Sequence, residues 1–460
     1  MSKMHPDLVI FLPGITGSVL MKDRQVLWGY SPTVFWNSVV NNGLDLLEIN
    51  GDDSGDEDLD DGIVASELIS NVTIVPGLIK LDGYSIVSNF LQGGLGLVKN
   101  RNYYEFAYDW RRDNRVSAKK LARFCDEKLA SWRKESGSSE ARVILVAHSM
   151  GGLVSRYYVE CLEGWKTTKN LITLGTPHRG SLDAVNGICN GLTKSVGPVV
   201  LADASRAFRS FQSLYQLLPI YPSIKDHEEG LRRVTEVILP NLDINRALQA
   251  RRFHDEINDA HEKNLLSPDY QRSQFSVSSI VGIDQPTYQS ARLMPEGKVQ
   301  MLRAHSGKNL GGDGTVPRVS AQLTDGNGVF FANTHAFLPN ARPCMMHLKG
   351  VLSGSSIDLS LFRGPGDSSG IGLDVSDLYS AGEPVVVQAT IKQYRQKLTA
   401  EFRRADVEAQ PIRVDMYPMD EMYTCSIHLN PGLYRVTIEE AGLEPVGDVF
   451  AVVDTDGVSG

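Results

Sequence analysis

Three things are scarce in this chain of 460 residues. Cysteine is one. Cys125, Cys161, Cys189, Cys344 and Cys425 are scattered, odd in number and without paired spacing. That excludes a disulfide framework and fits free thiols in a reducing compartment. No His/Cys cluster has zinc-ligand spacing either, so no metal and no other cofactor is expected. Positive charge is the second. Lys and Arg number 46 against 55 Asp and Glu, a net charge of −9. A nucleic-acid partner would call for a basic face, so none is expected. The same balance gives no broad attraction to anionic membranes. Long apolar runs are the third: none reaches eighteen residues, so no transmembrane helix is predicted. The first strand-like run, Leu8-Val9-Ile10-Phe11-Leu12, has no charged and apolar leader before it and enters a candidate functional loop at once, which is not how a cleavable signal reads. The expected location is cytoplasmic, with peripheral contact to a membrane left open.

What is present suits a globular protein: 42% hydrophobic and 22% charged residues. The length predicts two or three structural units and a large core. Up to about residue 180 strands and helices alternate. Strands are predicted at 8–12, 106–108, 143–146 and 171–174, with an irregular insertion over about 22–77. A helix over 117–134 carries Leu121, Phe124, Cys125, Leu129 and Trp132 on one face. Such alternation implies α/β architecture with a mostly parallel sheet. From 182 to about 267 the strand signal vanishes and a helical lid is expected, with Phe208, Phe211, Leu214, Tyr215, Leu217 and Leu218 in one apolar cluster. Strands return at 275–277, 280–283 and 329–331, and a helix over 341–352 closes a unit spanning 1–353. Residues 354–372, rich in Ser, Gly and Pro, read as a linker. Over 373–460 short β segments at 384–391, 398–402, 412–416, 423–429, 434–439 and 449–453 predict a small all-β, sandwich-like domain.

The chemistry concentrates in Val146-Ala147-His148-Ser149-Met150-Gly151-Gly152. A strand, a tight turn with Ser149 at its tip and then a helix is the nucleophile elbow of α/β-hydrolases. Such a turn needs small neighbours, which Ala147 and Gly151 supply; Ala147 stands where Gly is usual. The helix N-terminus aimed at Ser149 favours a developing negative charge. A serine hydroxyl also needs a base, and the base an acid to hold it. In this fold class the acid and then the histidine follow the serine in the chain. Gly312-Asp313-Gly314-Thr315-Val316-Pro317 can present a carboxylate, and 22 residues on, His335 follows the strand Val329-Phe330-Phe331. His347 lies inside a predicted helix and is the weaker candidate. The oxyanion hole requires two amides. Met150, after the nucleophile, offers one, and Ile15 in Pro13-Gly14-Ile15-Thr16-Gly17-Ser18 offers the other.

Taken in order, that loop, Tyr108-Asp109-Trp110-Arg111, Ala147-His148-Ser149-Met150-Gly151-Gly152, Gly175-Thr176-Pro177-His178-Arg179-Gly180-Ser181 and Gly312-Asp313-Gly314-Thr315-Val316-Pro317 resemble the lecithin:cholesterol acyltransferase-like family of lipase-type α/β-hydrolases. The resemblance covers about 8–352. It implies acyl transfer from a lipid or similar ester to water or an alcohol, a triad of Ser149, Asp313 and His335, and oxyanion amides of Ile15 and Met150. Unlike secreted members, this chain shows no signal peptide and no disulfides, and the β unit lies outside the family core.

Other features carry less. The acidic stretch 52–61 fails an EF-hand register, because counting from Asp56 places Gly62 seventh where Gly is needed sixth. Asp109 and Arg111 read as a buried structural pair, and His178 as a brace. Trp110 either walls an acyl pocket or packs the core; with Phe211 and Leu214 it forms the candidate substrate-contact set. A carboxylesterase or amide hydrolase on soluble or protein-linked acyl groups remains an alternative, as does a non-enzymatic lipid-binding or scaffold protein with an inactive triad. The substrate side predicts a lipid or acyl ester as partner. The β unit contributes no triad or oxyanion residue, so it is expected to be separable from the chemistry and to serve a regulatory protein, a membrane or a second copy of the chain.

Overall fold

The computed structural model describes residues 4–29, 43–51, 59, 61–75, 79–196, 199–226, 230–323, 327–357, 359–363, 370–420 and 422–454. Most of the acidic stretch 52–61 lies outside them. Six strands form the central sheet: β1 (Leu8–Leu12), β2 (Tyr103–Glu105), β3 (Val143–His148), β4 (Thr168–Leu174), β5 (Ser276–Ile283) and β6 (Asn327–Ala332). Their order is β6-β5-β4-β3-β1-β2, and every neighbouring pair is parallel. All side chains of β1 and β3 are buried, as a sheet covered on both faces requires. Helix α1 (Asn114–Ser136) begins where the Asp113 carboxylate accepts from the Arg115 amide at 2.8 Å and ends at Gly137, whose φ of 70° is a left-handed cap. Helix α2 (Met150–Cys161) follows β3 directly.

Several boundaries differ from the sequence reading. The strand placed at 106–108 is Tyr103–Glu105. The two segments 275–277 and 280–283 are one strand, β5. Its polar centre is accommodated because Ser279 lies opposite Thr173, whose hydroxyl donates to Ser279 Oγ at 3.3 Å. The insertion 22–77 is not simply irregular: Gln25–Trp28 and Ile63–Leu68 flank Ser18–Lys22 in a three-stranded antiparallel sheet. The stretch 182–267 is not wholly helical either. It holds the helices Leu182–Asn190, Ser205–Arg209, Gln212–Tyr215 and Ile244–Leu265, but also the hairpin Thr193–Val196 with Val199–Asp203 and the short strand Ile224–Lys225. Among the described residues no helix is long and apolar enough to cross a membrane. All five cysteines are free.

The C-terminal unit is all β: β7 (Gly372–Val375), β8 (Leu378–Ser380), β9 (Val385–Thr390), β10 (Leu398–Arg404), β11 (Ile412–Met419), β12 (Met422–Ile427), β13 (Gly432–Glu439) and β14 (Val446–Val453). The order is β7-β9-β12-β11-β10-β13-β14-β8. Strand β11 pairs with β10 along its first half and with β12 along its second, so one curled sheet closes over a shared core containing Val387, Phe402, Val436 and Phe450. The first two strands escaped the sequence reading, because β7 begins inside the stretch read as a linker.

The two units share an apolar cluster. Val72, Ile74 and Ala336 pack with Leu378, Leu433, Val449, Ala451 and Val453. Polar contacts reinforce the junction. Lys80 Nζ reaches Asp448 at 2.6 Å, Asp377 at 3.2 Å and the Val375 carbonyl at 2.8 Å, and Arg435 pairs with buried Asp82. Burial alone would lower the Lys80 pKa, but Asp448 and Asp377 together hold it above the ordinary lysine range.

Candidate active site

The three residues predicted to act together come from the C-terminal ends of three sheet regions. Ser149 sits in the turn between β3 and α2 with φ 52° and ψ −125°, a backbone conformation costly for any residue carrying a Cβ. Its amide is tied to the Leu174 carbonyl at 2.9 Å, which fixes the turn on the neighbouring strand. Gly151 is required two residues on, since a Cβ there would collide with the Pro13 carbonyl oxygen.

Asp313 comes after β5 and the antiparallel strands Ser290–Leu293 and Val299–Leu302, and is bridged to Gln285 just past the end of β5; His335 follows β6. His335 Nε2 is 2.9 Å from Ser149 Oγ, and His335 Nδ1 is 2.7 Å from Asp313 Oδ2. The other Asp313 oxygen accepts from the Thr315 amide at 3.0 Å and the Val316 amide at 2.7 Å, so the carboxylate cannot rotate away. The His335 amide also donates to the Asp313 carbonyl at 2.7 Å. All three side chains are buried. An Asp-bound Nδ1–H leaves Nε2 as the acceptor for the serine proton.

The early loop lies against the serine. A Cβ on Gly14 would stand 2.9 Å from Ser149 Cβ and 3.4 Å from its Oγ. The Gly14 amide is occupied, donating to Tyr84 Oη at 2.8 Å. Ile15, the next residue, lines the same cleft as Ser149. Met150 opens α2, so its amide has no carbonyl one turn back.

A cleft enclosing about 570 Å³ of empty space, its open mouth included, lies over Ser149 and His335. Its wall is mostly apolar, with Ile15, Leu81, Ala184, Leu214, Leu217 and Val316, as the walls of small-molecule sites commonly are. Leu214, of the candidate substrate-contact set, lines this cleft. Trp110 and Phe211 do not line this cleft. Trp110 is fully buried, donates its indole N–H to the Ser18 carbonyl at 3.0 Å and packs edge-on against Trp28 and Phe211. Trp110, Phe208 and Phe211 form one buried aromatic layer. From the stretch 182–267, Asp183, Ala184, Leu214 and Leu217 line the cleft.

Asp109 and Arg111 form the anticipated pair, with contacts of 2.9 and 2.7 Å, and Asp61 adds a third at 2.9 Å. His178 is buried with Nε2 3.4 Å from Thr173 Oγ1, and its Nδ1 has no hydrogen-bond partner, so no hydrogen bond joins it to the three central residues. His347 lies in the helix Arg342–Ser353 against the Phe362 ring, and neither of its ring nitrogens has a hydrogen-bond partner. Replacing His347 by Ala is expected to leave about half or more of kcat/KM on a test ester, while His335→Ala removes nearly all of it. The opposite ranking in steady-state kinetics would reverse the assignment of the base.

Two residues beside the serine had gone unassigned in sequence. His148 and Tyr84 are both buried, and the Tyr84 hydroxyl lies 2.9 Å from His148 Nδ1. His148 was visible as part of the elbow but carried no role. No sequence signal marked Tyr84, which is brought in from 65 residues (149 − 84) before the serine by the hairpin Thr73–Val75 with Ile79–Leu81.

A parallel-sheet α/β core with a serine, a histidine and an aspartate brought together at one end of the sheet defines an α/β-hydrolase. The chain belongs to the lecithin:cholesterol acyltransferase family, whose model matches residues 77–324, more than half of its length. That membership supports a hydrolase or acyltransferase of lipid esters. No curated protein sequence matches the chain. Among solved structures, it is similar to the lipase BlEst2 of Bacillus licheniformis in its propeptide form (12% identity, 98% of this chain and 94% of that one, TM-score 0.40) and in its mature form (13%, 76% and 94%, 0.38). It is also similar to phospholipase PlaB of Legionella pneumophila (10%, 97% and 92%, 0.28).

Proposed function

We propose that this protein is a serine-dependent lipid acyl-ester hydrolase or acyltransferase working through an acyl-enzyme on Ser149. One observation carries the proposal: the hydrogen-bonded line from Asp313 through His335 to Ser149, ending under a mostly apolar cleft. His335 Nε2 takes the Ser149 proton as Oγ attacks the ester carbonyl. The tetrahedral oxyanion is held by the Ile15 and Met150 amides. Its collapse breaks the bond to the leaving alcohol, which receives the proton from Nε2. Water or a second alcohol then repeats these steps and releases the acyl group. A lipid substrate calls for contact with a lipid surface, and a cytoplasmic lipase calls for restraint by a partner.

A fluorophosphonate probe is expected to label the wild type and not Ser149→Ala, and hydrolysis of nitrophenyl esters is expected to rise with acyl length. Labelling of Ser149→Ala would overturn the mechanism. A rate falling steadily with chain length would favour the carboxylesterase alternative. Among the described residues no group of three His, Cys, Asp or Glu side chains could hold a metal. Treatment with EDTA is accordingly expected to leave the rate unchanged; a loss restored by calcium would bring the acidic stretch 52–61 back as a ligand site.

A further inference from the structure

Three separate pieces of chain must stay aligned for the proposed chemistry: the Gly14–Ile15 loop, the serine elbow and the loop bearing His335. One buried hydrogen-bonded chain touches all three. The Gly14 amide can only donate, so Tyr84 Oη accepts at 2.8 Å. The hydroxyl proton of Tyr84 is then directed to His148 Nδ1 at 2.9 Å. With Nδ1 accepting, the His148 proton sits on Nε2 and donates to the His335 backbone carbonyl at 3.2 Å. Each donor meets one acceptor, provided that His148 is neutral. Burial, and next the neighbouring His335, hold its imidazole well below the ordinary histidine value, which keeps it so. Burial likewise holds the Tyr84 phenol above its usual range, so its proton stays in place. Ring packing supports the geometry, with Tyr84 edge-on to Phe11 and to His148 at centroid distances of 5.2 and 5.7 Å.

We infer that Tyr84 and His148 are positioning residues that lock the oxyanion loop to the base-bearing loop through the strand carrying the nucleophile. The inference rests on the proposed serine mechanism. It assigns these residues no bond-making step. Their work is to keep the Ile15 amide where the oxyanion forms and the His335 ring where Ser149 Oγ can reach it. Loss of one oxyanion donor costs about 10²–10³ in rate, and a small misplacement of the site costs up to about 10², so a loosened lock should fall near that range.

Tyr84→Phe removes one hydroxyl and keeps the ring packing. Its expected effect is a loss of about 10- to 100-fold in kcat with KM nearly unchanged, with the melting temperature lowered by only a few degrees for the unpaired Gly14 amide. An alkylboronic acid, which adds to the serine and places a tetrahedral anion in the oxyanion hole, should show a Ki raised in step with the kcat loss. A merely structural role for Tyr84 would lower the melting temperature without that matched change. Should Tyr84→Phe fold poorly, His148→Asn gives the second test, since it keeps an acceptor near Tyr84 but is too short to reach the His335 carbonyl; the same paired losses are expected. Wild-type kcat and boronate Ki in a folded variant would overturn the lock. Ser149→Ala, run alongside, separates the failures: an inactive Ser149→Ala with a fully active Tyr84→Phe removes the lock alone, whereas an active Ser149→Ala removes the mechanism beneath it.

Discussion

Ester hydrolysis by Ser149→Ala is expected to fall about 10⁴-fold or more, while melting temperature and circular dichroism stay those of the wild type. The hydroxyl is the only group lost. The elbow is held by backbone contacts, among them the Ser149 amide on the Leu174 carbonyl, which Ala retains. His335→Ala should be as damaging, because without Nε2 the serine proton has no acceptor within the 2.9 Å contact. Combining the two should add little, since residues acting as one unit are not additive. Retention of more than about a tenth of wild-type kcat/KM by either single variant would show that another nucleophile or base carries the reaction.

These three side chains were legible in sequence for a physical reason. In a parallel sheet the functional loops follow strand ends, and the strands before Ser149 and His335 carry short runs of Val, Ile, Leu or Phe. Ser149 and His335 could be placed by the strands before them and Asp313 by its glycine-flanked turn, and the structure brings the three into one line. The same logic separated His335 from His347. It failed where side chains reach the site from outside the sheet. Tyr84 leads into the short helix Ser85–Gln92 after an antiparallel hairpin. Trp110 sits in a motif shared with site-forming segments, yet its indole N–H must be satisfied, and the Ser18 carbonyl that does so lies in the core. An aromatic residue's place, cleft wall or buried layer, depends on where its polar atom finds a partner, and local sequence does not contain that partner.

The curled C-terminal sheet was legible from its alternating segments, but its relation to the site was not. A composition rich in Ser, Gly and Pro reads as a linker whether the following domain swings free or packs down. The contacts decide. Thr334, next to His335, donates its hydroxyl to the Gly447 carbonyl at 2.6 Å, and the Gly447 amide returns to Asn333 at 3.3 Å. Gln285, in the segment between β5 and the Asp313 loop, bonds the Ile371 carbonyl and the Leu373 amide, both at 2.9 Å. Lys80, on the cleft wall, is held by Asp448, Asp377 and Val375. The β unit supplies none of the central residues and yet braces the loops of two of them.

A chain ended at Ser353 is therefore expected to be nearly inactive even on a short soluble ester, contrary to the separability that composition predicts. Truncation would expose Val72, Ile74 and Ala336, strip Lys80 of both its carboxylates and untie the residue preceding His335. Breaking a buried ion pair by removing one side costs about 3–5 kcal/mol, and a misplacement of the base of about 1 Å can cost about 10²-fold. The expected loss in kcat/KM is thus about 100-fold or more, with a lowered melting temperature. Because such a chain could also unfold, two full-length variants divide the causes. Thr334→Val removes only the tie to Gly447 and should lower kcat by about tenfold with little loss of stability. Asp448→Asn leaves Lys80 with Asp377 and should chiefly lower the melting temperature. A folded, truncated protein keeping more than about a tenth of full-length kcat/KM would show that the His335 loop holds its place unaided, and the β unit would then be free to serve a partner, a membrane or a second copy of the chain.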